Sequence, residues 1–286
     1  MVINGKGNQQ ILYEYFSSIP SEVLVNGEKS DSCKQTCYLK ENLSNITLIF
    51  NNKISSFAKM FRGCENITYI DFSNFDTSNV NEMQYMFLDC SNLEKINFGN
   101  INTTSVENMV SIFKNCHKLT SIDISNFDIS KVTDMSYMFY NCVSLTQLDL
   151  SNFDISSLNS ISYMFKGCKK LEYINLNNSI EINDLNTLNA FELNPINMVI
   201  CINNNSEQII NSLQIKKCYI IDCSEDWKKN QKKIISGTGV CVNNCNETEK
   251  NKYEYNNVMK FVQKELYTII LILDAILEMH LLKTMN

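Results

Sequence analysis

Apolar positions recur along this chain with a period of 26 residues. Cys64, Cys90, Cys116, Cys142 and Cys168 keep that spacing without slippage, and each precedes a run such as Leu119-x-x-Ile122-x-Ile124. The run alternates apolar and polar residues at period two, as a half-buried strand does. The other half of each unit has a different rhythm. Val132, Met135, Met138 and Phe139 are spaced i, i+3, i+6 and i+7, which predicts a short helix turned toward the same core. Ser130 or Asp128 is placed to cap its first turn. Each unit is therefore predicted to run strand, turn, short helix, turn. Equivalent positions fall into columns: Val80/Val106/Val132/Leu158, Met83/Met109/Met135/Ile161 and Phe87/Phe113/Phe139/Phe165. A Met column can line a binding groove, but flexible core filler is the simpler reading.

A single such unit cannot bury its apolar face, whereas neighbours stacked in register can. Leu-x-x-Leu-x-Leu repeating at roughly 20–29 residues is the leucine-rich-repeat signature. The predicted fold class is α/β: a curved leucine-rich-repeat solenoid with a parallel sheet and short convex helices. A small β-containing cap precedes it and an irregular Cys-containing flank follows. The boundaries read as a cap at 1–44, repeats at 45–205 (most regular over 60–180), a flank at 206–257 and a tail at 258–286. Asn45–Phe50, Ala190-Phe191 and Met198–Ile202 look like degenerate end units, as capping requires.

Composition narrows the function classes. A net charge of −6 with no basic-aromatic stripe argues against nucleic acid. Only 8 Gly and 2 Pro are present, so Asn, Ser and Asp must make most turns. The start, MVINGKGNQQILYEYF, lacks the basic segment and apolar core of a signal peptide. Near the other end, Asp274 and Glu278 interrupt the apolar run from Ile269, against a membrane span.

The candidate chemistry is sparse. Of the two histidines, His117 stands in one of five equivalent units and His280 in the tail. Nothing converges on either to make a nucleophile and base, and no phosphate-cradling loop is present. No enzyme activity and no cofactor or metal are expected. Cys64, Cys90, Cys116, Cys142 and Cys168 read as buried structural thiols rather than metal ligands or bridges, because Cys packs as a small hydrophobe. Cys33, Cys37, Cys201, Cys218, Cys223, Cys241 and Cys245 lie outside the regular repeats, where disulfides are the natural staples in an oxidising compartment. A Zn site from Cys218, Cys223, Cys241 and Cys245 is the alternative, without the usual tight spacing. Asn-x-Ser/Thr sequons are frequent, as chance allows in so Asn-rich a chain.

The exposed face of the predicted sheet offers a ligand surface. Its middle column is Asp71, Asn97, Asp123, Asp149 and Asn175, flanked by Tyr69, Lys95, Ser121, Gln147 and Tyr173. Curvature would make this face concave, where repeat stacks commonly bind. A plain solvated face, or a cation bridging the aspartates, are the other readings.

The string Cys-x-x-Leu-x-x-Leu-Asp-Leu-Ser-Asn-Phe-Asp that begins at Cys142, and the Val-Thr-Asp-Met-Ser-Tyr-Met-Phe that ends at Phe139, resemble the repeats of BspA-like leucine-rich-repeat surface proteins. Pro20–Gly27 and Cys33–Cys37 resemble the region before such repeats. The usual leucine-rich-repeat Asn is missing from its place, held by Phe127 in the third unit. The resemblance implies a cell-surface or secreted, non-catalytic adhesion or recognition protein, monomeric, taking a protein or glycan ligand. An intracellular leucine-rich-repeat scaffold, with the flanking cysteines reduced, is the alternative. The tail carries Phe261, Leu266, Ile270, Leu273, Leu277 and Leu281 at helical spacing. Back-translating it from Asn257 in a shifted frame instead gives a Cys-rich continuation, so a frameshift there is a competing expectation.

Overall fold

The computed structural model describes residues 1–176, 184–195, 198–202 and 209, and beyond them the backbone of short strands at 218–220, 233–235, 241–242 and 252–254. The chain opens with β1 (Val2–Asn4), β2 (Gly7–Gln10), β3 (Glu22–Val25), β4 (Glu28–Lys29), β5 (Thr36–Leu39) and β6 (Leu43–Ile49). β1 pairs antiparallel with β6, β6 with β3, and β3 with the edge strand β4, while β2 and β5 form a separate two-stranded ribbon. Burial alternates along β6, with Ser44 and Ile46 inside and their neighbours Leu43, Asn45 and Thr47 exposed, as a one-sided sheet requires.

The units then stack. β7 (Ile67–Asp71) lies antiparallel to β1 on one side and parallel to β8 (Lys95–Asn97) on the other, so this first sheet is mixed. β9 (Gln147–Asp149), β10 (Tyr173–Leu176), β11 (Val199–Ile202) and β12 (Cys218–Ile220) make a second, all-parallel sheet. Between the two, the third unit forms no strand over 121–123. The single parallel sheet expected through every unit is therefore broken in the middle.

The expected helices are absent: no helix forms in the described residues of the repeats. Each segment is instead a pair of tight turns. Met86, Leu88 and Cys90 donate their N–H groups three residues back, to the carbonyls of Met83, Tyr85 and Phe87. The intervening N–H groups leave the unit. Tyr85, Phe87 and Asp89 donate to the carbonyls of Val110, Ile112 and Lys114, each at 2.9 Å, and the pattern repeats from the third unit to the fourth and onward. A helix is also barred by backbone conformation. Lys59, Tyr85, Ser111, Tyr137 and Tyr163 have φ between 56° and 62°, and Asp89, Asn115 and Asn141 between 57° and 65°. A non-glycine residue in this left-handed region costs about 1–2 kcal/mol. The added inter-unit bonds, at about 0.5–1.5 kcal/mol net each, are of the size needed to offset it.

These findings correct the predicted class. The described protein is all-β, with mixed, antiparallel and parallel sheets; it is not a curved α/β leucine-rich-repeat solenoid, and no concave sheet face is formed.

The core runs along the inside of the stacked units. Phe61, Phe87, Phe113, Phe139, Phe165 and Phe191 stack ring on ring with centroids 5.3–5.9 Å apart. The Met column (Met83, Met109, Met135), the Val column and the run's first Leu (Leu93, Leu119, Leu145, Leu171) are all buried against it. Replacing Leu145 by Ala is expected to cost about 2–5 kcal/mol, and replacing exposed Gln147 by Ala under about 0.5 kcal/mol, both read by urea titration. A second pair separates turns from helices. At exposed Lys59, φ 62°, Gly is expected to be more stable than Ala by roughly 1 kcal/mol; in a helix the order would reverse by a similar amount.

Candidate functional site

The polar columns hold the turns of the stack. The first four residues of the middle column accept the backbone N–H two residues on: Asp71 from Ser73 at 2.8 Å, Asn97 from Gly99 at 3.1 Å, Asp123 from Ser125 at 3.1 Å and Asp149 from Ser151 at 2.9 Å. The hydroxyls of Ser125 and Ser151 donate to the same carboxylate oxygens at 2.7 Å. Five residues further along, Asp76, Asn102, Asp128 and Asp154 repeat the device on Ser78, Thr104, Ser130 and Ser156. Such side-chain turns close the chain where glycine and proline are scarce.

The pKa directions follow. The N–H and hydroxyl of Ser73 hold the Asp71 carboxyl below its ordinary range, and the Ser125 and Ser130 hydroxyls do the same for Asp123 and Asp128. Asp76 is lowered to about 2, first by the Ser78 hydroxyl and N–H and then by Lys53, whose ammonium lies 3.2 Å away.

The ten residues offered for ligand binding do not come together as one face. Tyr69, Asp71, Lys95 and Asn97 lie on β7 and β8, and Tyr69 is flanked on its other side by Val2 of β1. The Tyr69 hydroxyl donates to Asp71 Oδ2 at 3.2 Å, and Asn97 Nδ2 to Asp71 Oδ1 at 3.1 Å. Ser121 and Asp123 sit in the strandless third unit. Gln147 and Asp149 are exposed on β9, whereas on β10 Tyr173 is buried and Asn175 half-buried. The concave binding face, and the adhesive function placed on it, are thereby corrected: the sheet that would carry them is interrupted. The same holds for the leucine-rich-repeat scaffold alternative, which needs that fold.

The five repeat cysteines are buried thiols, and four of them have a defined partner. Cys90, Cys116, Cys142 and Cys168 direct Sγ at the carbonyls of Phe61, Phe87, Phe113 and Phe139, at 3.0–3.2 Å. Burial raises the pKa of Cys64, Cys90, Cys116 and Cys142, keeping these thiols protonated. One period on, Asn194 takes over: its Nδ2 donates to the Phe165 carbonyl at 2.7 Å. Cys33 and Cys37 are joined in a disulfide, and buried Cys201 is disulfide-bonded as well. The side chains of Cys218 and Cys241, and Cys223, Cys245, His280 and the tail at 258–286, lie outside the described residues. His117 is exposed. Among the described residues no three His, Cys, Asp or Glu are grouped to hold a metal ion, and no helix is long and apolar enough to cross a membrane.

One concavity stands apart from these ladders. Between β6 and the first unit is a cavity of about 270 Å³ lined by Ile46, Leu48, Phe50, Met60, Phe72, Phe75 and Asp71, among others. Phe75 packs edge-on against Phe50 and Phe57, with centroids 5.7 and 5.5 Å away. Its counterparts Ile101, Phe127 and Phe153 are 3–5 % exposed, whereas Phe75 is only half-buried. A preceding unit covers each counterpart; the antiparallel strands before the first unit do not fully replace one. The reading by columns missed this site, although the change of pattern between Phe50 and Phe57 marks where the repeat begins.

The described architecture defines a repeat protein built from stacked 26-residue turns. Residues 42–188 match the family described as "Mycoplasma protein of unknown function, DUF285". That match spans more than half of the 286 residues, and the chain belongs to this family. It replaces the resemblance to BspA-like leucine-rich-repeat surface proteins, whose implied strand-and-helix units are not what the chain forms. No curated protein matches the chain.

The turn carboxylates make the stack acid-sensitive in a stated direction. A carboxyl whose pKa is lower folded than unfolded contributes stability above its unfolded value, near about 3.9, and loses it as pH falls through the folded value. With Asp76 at about 2, the melting temperature is expected to fall between about pH 4 and pH 2. The triple variant Asp76→Asn, Asp123→Asn, Asp128→Asn keeps the turn acceptor without the titration and should flatten that fall, read by calorimetry across pH.

Proposed function

We propose that this chain is a non-catalytic, monomeric module that binds a protein ligand in an oxidising, extracellular setting. The observation that carries the reading is the employment of its reactive groups. The repeat thiols are spent on Phe carbonyls and the column carboxylates on backbone N–H groups, while the aromatic cavity beside β6 offers apolar surface to a partner. The Cys33–Cys37 bridge suits an oxidising compartment. A glycan is the lesser fit, because the outward tyrosines of the turn face have their rings covered. Tyr137 and Tyr163 stack on each other at 4.8 Å, and Lys114 lies 4.9 Å over Tyr137.

Purified, oxidised full-length chain is to be panned against a displayed peptide library and, separately, a glycan array. A peptide ligand with saturable affinity, released chemically unchanged from a chain that sediments as a monomer, is expected. Retention of glycans alone, or cleavage of the captured peptides, would contradict the reading.

A further inference from the structure

The corner of the stack that follows each turn pair is unevenly charged. In the third unit it holds Lys114, His117 and Lys118, and in the fifth Lys166, Lys169 and Lys170. The fourth unit has Tyr140, Val143 and Ser144 at the same positions. Five of these nine positions are Lys and none is acidic, in a chain with only 25 Lys and Arg and a net charge of −6. Lys118, Lys169 and Lys170 are exposed, and Lys114 and Lys166 half-buried. Glu192 of the next unit neutralises Lys166 at 2.7 Å. The other four lysines form no ion pair among the described residues, even with exposed Glu172 two positions past Lys170. Phe113 to Phe139 is 5.3 Å and Phe139 to Phe165 5.9 Å, centroid to centroid, so the two Lys-bearing units lie on the order of 10 Å apart.

Lys114 bridges the gap between those units. Its ammonium lies 4.9 Å from the ring centroid of Tyr137 and 5.0 Å from that of Tyr140, both in the fourth unit. A ring face attracts a cation without cancelling its charge, so Lys114 presents a positive group over a unit that has none of its own there. The same contacts narrow the choice of anion. Tyr137 and Tyr163 stack on each other at 4.8 Å, and Lys166 lies 5.3 Å over Tyr163, so these rings are engaged and offer little to a nucleobase or a sugar. Every cation in the corner is Lys, a point charge without the planar fork that Arg brings to phosphate or sulfate. One exposed ion pair contributes little, but several carboxylates on one segment bind as linked contacts.

We propose that this corner docks an acidic, Asp- or Glu-rich segment of a protein partner, laid along the stack from the third unit to the fifth, with its carboxylates on Lys114, Lys118, Lys169 and Lys170. The inference rests on the module reading above and adds a surface and the charge its partner carries. An extended chain rises about 3.3 Å per residue, so six residues reach across all three units.

The probe is a hexa-aspartate peptide with both ends capped, titrated into the oxidised full chain labelled with nitrogen-15. Saturable amide shifts at Lys114, Lys118, Lys169 and Lys170 are expected, with an affinity that falls as salt is raised. The triple variant Lys118→Glu, Lys169→Glu, Lys170→Glu changes exposed positions only and should keep its melting temperature while binding at least about tenfold more weakly. A control triple, Lys34→Glu, Lys40→Glu, Lys131→Glu, alters the net charge equally at exposed positions elsewhere and should stay within about twofold, because distant charges are screened. Absence of saturable shifts, equal weakening by the two triples, or binding of a heparin oligosaccharide or anionic vesicles but not of hexa-aspartate would overturn the proposal. If the first triple retains every panned peptide, this surface falls and the module reading stands.

Discussion

Backbone N–H groups that must find acceptors in the next unit dictate the rest of this structure. Within each unit's turn pair, alternate N–H groups close three-residue turns while the others, as at Tyr85, Phe87 and Asp89, cross to the following unit. Buried backbone groups left without partners cost as much as a lost hydrogen bond each, so a unit by itself is deficient along one edge. The requirement fixes the period at 26 residues, because insertion or deletion of one residue would offset every crossing bond beyond it. It also makes the left-handed residues tolerable, since each lies where the chain must turn to present the next N–H outward.

Side chains reinforce the same ladder. Asn115 Nδ2 donates to Asp89 Oδ1 at 2.7 Å and Asn141 Nδ2 to Asn115 Oδ1 at 3.2 Å, so three left-handed residues in successive units are tied together. At the next rung only glycine fits: a Cβ on Gly167 would collide with Asn141 Oδ1, and its φ of 79° is left-handed as well. Inside, the Phe carbonyl that closes each turn accepts a second bond from the Cys thiol of the next unit, and Asn194 makes this contact where the cysteines end. A thiol is a weak donor, but it is small enough to lie beneath the aromatic stack. The carboxylates and amides outside serve the turns in the same way, so the groups that look chemical in the sequence are spent on architecture.

Much of this was legible before the structure. The period, the buried columns and the burial of the repeat cysteines follow from spacing alone, because any in-register stack must bury the same positions in each unit. The helix was not. Val132, Met135, Met138 and Phe139 have helical spacing, but two consecutive three-residue turns place the same positions inward. The discriminating signal was the column Gly63, Asp89, Asn115, Asn141 and Gly167, three residue types that favour positive φ, set where a helix would have its middle. The partner column of Lys59, Tyr85, Tyr137 and Tyr163 gave no warning, since neither Lys nor Tyr favours that conformation; the crossing bonds impose it. The broken sheet was hidden as well. Ser121 and Asp123 alternate around Ile122 like their counterparts, and nothing local distinguishes them from the strands on either side. The cavity beside β6 escaped notice because it belongs to no column: it forms where the repeat has no preceding member.

The central claim is that each unit's turn segment gives its hydrogen bonds to its neighbour instead of closing a helix on itself. Scalar couplings transmitted through hydrogen bonds in nitrogen- and carbon-labelled protein measure this directly. The account predicts couplings from the amide nitrogens of Tyr85, Phe87 and Asp89 to the carbonyl carbons of Val110, Ile112 and Lys114, and from those of Ser111, Phe113 and Asn115 to Ser136, Met138 and Tyr140. Couplings from these amides to carbonyls four residues earlier in the same segment would contradict it.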